Sequence, residues 1–297
     1  MVIAATEAVE LETAGSLSPG RLALRRFLRH RVAVFSLGVL ILIVLAAVLL
    51  PWVISNKPNT VDLLALQKPP GHGHLLGTDS AGRDIFARLL AGGRVSLLVG
   101  LTVAVCSTTI GLVLGATAGY FGGWVDGVIA RITDVVLSFP TLIVVISVVA
   151  FVGPSLKTLI IAIALCEWPT PCRIVRGLTL SLRQQDSIEA VVGLGASAPR
   201  VLRGHIAPVV IAPLTVVATL LVAQAIILEA ALSFLGLGVP PPTSSWGNML
   251  NAASSLTTLE SMPWMWLPPG IAIAVTILAV NFVGDGLRDA ADPRQTS

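Results

Sequence analysis

Charge is scarce in this chain. Of 297 residues only 12% are Asp, Glu, Lys or Arg, while 55% are hydrophobic. A soluble domain carries about twice that charge, and with a mean hydropathy of +0.88 the balance points to an integral membrane protein. Lysine is almost missing: Lys57, Lys68 and Lys157 are the whole complement, and none follows a glycine. A phosphate loop needs Gly, four residues, then Gly-Lys-Ser or Gly-Lys-Thr, so ATP is not bound by that route. Cysteine is also sparse. Cys106, Cys166 and Cys172 fall in or beside apolar runs, match no zinc spacing and read as small packing residues. His72 and His74 sit in a Gly-rich loop without a carboxylate cluster and read as solvent-exposed rather than as a metal pair. No Ser-His-Asp set can be placed on one side of a membrane, so neither a catalytic residue nor a metal ligand is expected. A net charge of +3 gives no support to a nucleic-acid partner. The apolar runs do not alternate with polar residues, which excludes a membrane β-barrel.

What remains is a series of apolar runs near the length that crosses a bilayer as helix. Spans are expected at about 32–54, 95–118, 131–152, 158–178, 207–230 and 266–284. Together they make a transmembrane domain over 32–284, between an N-terminal tail (1–31) and a C-terminal tail (285–297). Residues 1–20 are polar and mildly acidic and read as disordered. No cleavable signal is evident, because the first apolar run is too long for a signal core and should stay as an anchor. Arg21, Arg25, Arg26, Arg29 and Arg31 precede the first span, and Arg173, Arg176, Arg183, Arg200 and Arg203 flank the fourth-to-fifth connection. This grouping predicts cytoplasmic termini.

Several polar features interrupt the spans. From Asp84, Ile85, Phe86, Leu89 and Leu90 alternate helically with Arg88, which predicts a short interfacial helix before the second span. Thr108 and Thr109 are expected to bond back to helix carbonyls. Gly111, Gly115 and Gly119 recur every fourth residue, a close-packing pattern. Arg131 and Asp134 share a helix face at the start of the third span, which Pro140 should kink. Glu167 lies inside the fourth span and is a functional candidate by default, with pairing to Arg173 or Arg176 as the structural alternative. Glu229 closes the fifth span. Trp246, Trp264 and Trp266 suit an interfacial belt.

The most informative stretch is polar: LSLRQQDSIEAVVGLGASAPRVLRGHIAP, residues 180–208. Asp186 or Ser187 can cap a short helix, and Gly193, Gly195 and Pro199 favour a helix-turn-helix bend. Its Glu189-Ala190, Gly195 and Ile206-Ala207-Pro208 pattern resembles the EAA loop of ABC-transporter permeases, with Val191 in place of the second Ala and Ala207 in place of the usual Leu. Three other strings agree in order and spacing: Leu76-Gly77-Thr78-Asp79 to Leu97, Ala230 to Met249, and Asp285 to Arg294. Together they resemble the C-type permease of dipeptide, oligopeptide and nickel importers over nearly the whole chain.

That resemblance implies an all-α membrane protein of the type I ABC importer permease fold. It implies six spans, a cytoplasmic coupling helix and an extracytoplasmic segment after the first span. Glu189, Ala190, Gly195, Ile206 and Pro208 are implied as the residues that couple to an ATPase. The expected partners are a second permease, two ATPase subunits, an extracytoplasmic substrate-binding protein and the bilayer of a bacterial inner membrane. This chain is implied to bind no cofactor itself, with ATP and Mg held by the ATPase subunits. Peptides are the expected cargo. Nickel chelates, glutathione or another solute remain alternatives, as does a channel or scaffold without an ATPase.

Overall fold

The computed structural model describes residues 19–54, 56–71 and 73–291. Among them the fold is helical, with no strand beyond two isolated bridges, Gly71 with His74 and Thr78 with Asp84. The helices are α1 (Pro19–Arg29), α2 (Arg31–Val53), α3 (Ile85–Phe121), α4 (Gly123–Leu137), α5 (Thr141–Val152), α6 (Leu156–Glu167) and α7 (Pro169–Arg183). There follow α8 (Asp186–Gly193), α9 (Ala198–Val201), a π turn (Leu202–Ile206), α10 (Ala207–Phe234), α11 (Trp246–Ala252), α12 (Leu256–Ser261) and α13 (Pro263–Ala291). Five stretches are long and apolar enough to cross a membrane: Arg31–Trp52, Ile85–Phe121, Leu156–Arg183, Ala198–Phe234 and Pro263–Ala290. The bent pair α4–α5 makes a sixth.

Side-chain contacts fix the directions. Arg94 Nε and Nη2 donate to the carbonyls of Ala47 and Val48, each at 2.5 Å, so α3 starts beside the end of α2 and runs back along it. A Cβ on Gly100 would meet Ile226 at 2.8 Å, and one on Gly284 would meet Thr219 at 2.5 Å. With Ser96 of α3 bonded to Glu229 of α10, α10 is antiparallel to α3, and α13 packs on its other side. The segment 56–84 and the 235–262 connection gather at one end, the loop face. The described chain ends and the 184–206 connection gather at the other, the terminal face.

The glycines of α3 are a packing surface. A Cβ on Gly111 would lie 2.8 Å from Pro171 and Cys172. One on Gly115 would lie 2.5 Å from the Cys172 carbonyl, and one on Gly119 would lie 2.6 Å from Thr179. Only hydrogen lets the two backbones approach this closely, the use of small residues between membrane helices. Farther toward the loop face, Val99 and Val103 join Val145, Val149, Leu159 and Ile163 in a shared core. Thr108 and Thr109 donate to Ala104 and Val105 carbonyls at 2.6 and 2.7 Å, as expected of hydroxyls with no water to reach.

The structure departs from the sequence reading in two places and adds helix to both tails. The interfacial helix from Asp84 is not separate: it is the first turns of the 37-residue α3. Gly92 and Gly93 lie within that continuous helix, where Ser245 and Trp246 occupy the space their side chains would need. The third span is not a kinked helix but two helices bent by 84°. Pro140 has no N–H to continue α4 and takes an extended conformation as the cap of α5. The N-terminal tail contains α1, whose Phe27 packs with Ala33, Val283 and Ala290. The C-terminal tail begins as helix, since α13 runs to Ala291, with Gly286 against Ala33 and Phe27.

Tryptophan placement is also different. Trp246 is 2% exposed and donates its indole N–H to the Leu89 carbonyl at 3.0 Å. Trp264 and Trp266 pack on the cluster of Ile85, Met249, Ala253 and Met265. The exposed tryptophans are Trp52 and Trp124, at the loop-face end of α2 and the terminal-face start of α4. Those are the positions an interfacial belt requires.

Candidate coupling surface and buried polar centres

The polar stretch 180–208 folds as a bent pair. Gln185, not Asp186, is the N-cap of α8, and Asp186 and Glu189 lie in its first turn, where acidic charge suits the helix dipole. The turn after α8 needs Gly195 at φ +86°, a left-handed conformation that glycine adopts without strain. α9 and the π turn then lead into α10. Ile188, Val201 and Ile206 are buried with Val175 of α7 and with Val210 and Leu214 of α10. One side of the pair is therefore fixed to the ends of two membrane helices.

The other side is bare. Glu189, Ala190, Gly195 and Pro208 are exposed, whereas Ile206 is 1% exposed and belongs to the core that holds the pair in place. The tip adds two residues that sequence reasoning did not single out. Leu194 is 89% exposed and Val192 44%. Large apolar side chains left exposed at the end of a packed helix are the mark of a contact surface.

The charges within the bundle pair across helices rather than along them. Asp134 accepts from Arg173 Nη2 at 2.6 Å, while Arg131 is exposed and makes no ion pair among the described residues. Asp126 takes both Arg176 Nε and Nη2, the latter at 2.6 Å. Arg173 and Arg176 thus tie α7 to α4, and neither pairs with Glu167. Glu167 instead meets the Thr141 side chain at the start of α5, so this carboxyl stands at the α4–α5 break.

Glu229 is fully buried. Its Oε2 accepts from Ser96 of α3 at 2.8 Å and its Oε1 from Ser233 at 2.7 Å. Ser96 in turn accepts the Trp246 backbone N–H at 3.3 Å, and the hydroxyls of Ser233 and Ser245 lie 3.3 Å apart. One carboxyl thereby joins α3, α10 and the start of α11. Ser96 and Ser233 lie inside two of the motif strings, but nothing in their spacing pointed to a shared carboxylate.

A second polar centre holds the loop face. Asp79 Oδ1 accepts the backbone N–H groups of Ala81 and Arg83, both at 2.9 Å. Its Oδ2 accepts Arg83 Nε at 2.8 Å, and Arg88 Nε lies 3.5 Å from the same oxygen. Asp84 caps α3 through Ala87 N–H at 2.8 Å and meets His74 Nδ1 at 2.7 Å. His74 is therefore a half-buried partner of a carboxylate, not the solvent-exposed residue its Gly-rich surroundings suggested; His72 lies outside the described residues. Among the described residues no group of three His, Cys, Asp or Glu side chains is placed to hold a metal.

A bundle of bent and continuous spans, with a bent helix pair packed on the ends of two of them, has recognisable relatives. Residues 111–297 match the family described as binding-protein-dependent transport system inner membrane component. Residues 18–70 match the N-terminal transmembrane domain of oligopeptide transport permease C. The chain belongs to this inner-membrane transport family. A Brucella suis protein named as a peptide permease is 45% identical over 94% of this chain and 92% of its own length. The oligopeptide transport system permease protein OppC of Bacillus subtilis is 40% identical over 94% of this chain and 91% of its own. The fold is also that of a chain in the inward-facing MetNI methionine ABC transporter, with a TM-score of 0.55 at 16% identity, covering 68% of this chain and 96% of that one. The family's permeases are ABC-importer membrane subunits, so this chain is a multi-pass, permease-type subunit with an OppC-like arrangement.

Proposed function

We propose that this permease forms half of the path by which an ATP-driven importer carries di- or oligopeptides across a bacterial cytoplasmic membrane. The reading is supported by relatives named for peptide transport across nearly their full length. It is carried by the exposed apolar tip of α8, held by Ile188 against α7 and α10. In this reading residues 32–284 are the permease body, and both chain ends and the α8 tip lie in the cytoplasm. A second permease completes the path and an extracytoplasmic binding protein delivers cargo to the loop face. Two ATPase subunits receive the tip formed by Glu189, Ala190, Val192, Leu194 and Gly195. ATP and Mg belong to those subunits, and this chain does no catalysis of its own.

The physical route is short. Closure of the ATPase pair pushes the tip, and Ile188, Val201 and Ile206 pass the displacement to α7 and α10 as one packed unit. Gly111, Gly115 and Gly119 lock α7 to α3. The α4–α5 break, with Glu167 beside Thr141, is the place where the bundle can bend.

The test uses the reconstituted complex with its ATPases and binding protein. Leu194→Ser removes exposed apolar surface at no cost to the fold, and the expected result is intact membrane insertion with loss of peptide-stimulated ATP hydrolysis and uptake. Unchanged uptake would overturn the assignment of the tip. ATP hydrolysis that responds to another solute but not to peptides would overturn the cargo.

A further inference from the structure

The loop face holds a cavity of about 150 Å³ between the start of α3 and the α10–α11 connection. Arg83, Arg88, Ser233, Thr243, Asn248 and Asn251 line it. Arg88 is 5% exposed, and its Nη1 is buried without a hydrogen-bond partner. Burial of an unpaired guanidinium nitrogen is costly, so the local charges decide what the cavity accepts.

Asp79 is the acid that faces both arginines, and it is already occupied. Its Oδ1 carries two backbone N–H groups and its Oδ2 carries Arg83 Nε. Arg88 Nε stands 3.5 Å from that oxygen, beyond a good hydrogen bond. The other wall residues offer no negative charge. Asn248 and Asn251 give their amide N–H groups to the Thr243 and Phe234 carbonyls. Ser233 gives its hydroxyl to Glu229, whose other oxygen is taken by Ser96. In the wall itself two guanidinium groups share one saturated carboxylate, Glu229 stands behind Ser233, and Arg88 Nη1 is left without an acceptor.

We infer that this cavity binds a single carboxylate. A carboxylate supplies the acceptor that Arg88 Nη1 lacks, and its planar pair of oxygens matches the guanidinium fork. The volume suits a carboxylate and the few atoms bearing it, not a whole oligopeptide. Two sources present this chemistry at the loop face: the terminal carboxylate of a free peptide, and an acidic side chain of a protein that docks there. The inference stands on this cavity and not on the transport reading.

The test uses the full chain in nanodiscs of zwitterionic lipid, titrated with sodium acetate, with Ala-Ala and with Ala-Ala amide, against sodium chloride as the ionic-strength control. The unfolding midpoint is followed. Acetate is expected to raise it saturably beyond chloride, and the amide is expected to have no effect. Arg88→Gln removes the charge. Ala252→Phe leaves both arginines in place and fills the cavity from its rim. Each is expected to weaken the acetate response about tenfold, and Ala252→Phe decides alone if Arg88→Gln does not fold. Stabilisation by Ala-Ala as well as acetate assigns the site to a free peptide end. Stabilisation by acetate alone assigns it to an acidic side chain of a docking protein. A response to acetate no greater than to chloride, an equal response to the amide, or one unchanged in Ala252→Phe would overturn the inference. The titration requires neither ATPase nor uptake, so its failure is separate from failure of the importer reading.

Discussion

The two faces of the bundle are held by different chemistry. At the loop face, Glu229, Asp79, Asp84 and Arg88 are each at most 5% exposed, and each carboxylate accepts several donors, those of Glu229 and Asp84 from separate elements. At the terminal face, Asp134 and Arg173 are each about half exposed, and the short helices 186–201 keep one side bare. A buried network is costly to disturb, whereas an exposed ion pair contributes little. The contrast teaches that one face is held together internally by buried polar chemistry and the other leaves surface free for contact.

The sharpest way to break this contrast is Glu229→Ala. It strands the Ser96 and Ser233 hydroxyls and opens a cavity, and a loss of about 3 kcal/mol is expected in detergent unfolding. Glu229→Gln, which keeps both acceptor positions in part, should cost less than half as much. Next comes Gly115→Leu, which drives a side chain into Cys172 and Val175 and should cost about 2 kcal/mol. Gly177, with nothing within 4 Å of an added Cβ, gives the control: Gly177→Ala should stabilise α7 by about 0.5 kcal/mol.

At the terminal face the expected stability effects are smaller. Asp126→Asn loses a bidentate, half-buried pair and should cost about 1 kcal/mol. Asp134→Asn should cost a few tenths and lose that effect in high salt. Unfolding curves of the two variants at low and high ionic strength check the order. If Asp134→Asn proves as damaging as Glu229→Ala, the contrast between the faces fails.

Much of this was legible in the sequence because membrane helices announce themselves by length. The spans beginning near residues 32, 207 and 266 all start within a few positions of helices that the structure contains. The glycine stripe was legible because its spacing has one cheap explanation, and the bent pair at 186–206 was marked by Gly195 and Pro199. What stayed hidden was pairing between distant residues. Arg131 stands three positions from Asp134, yet Arg173 takes the carboxylate from another helix. Arg176 stands near Glu167, yet it reaches Asp126. Local spacing proposes partners, but the approach of α4 and α7 selects them. Trp246 misled for the same reason. Its burial depends on Gly92 and Gly93 making room more than a hundred residues earlier.

The length of α3 has a mechanical consequence. Its 37 residues make a rod of about 55 Å, well beyond the roughly 30 Å of hydrocarbon in a bilayer. Near one tip Gly119 is seated on Thr179, and near the other Arg88 borders the loop-face cavity. A tilt of a few degrees about its middle therefore sweeps both tips in opposite directions through distances comparable to an atomic diameter. Whatever occupies the cavity and whatever presses the opposite end hold the two ends of one continuous beam, so each is felt by the other without any message having to pass from residue to residue.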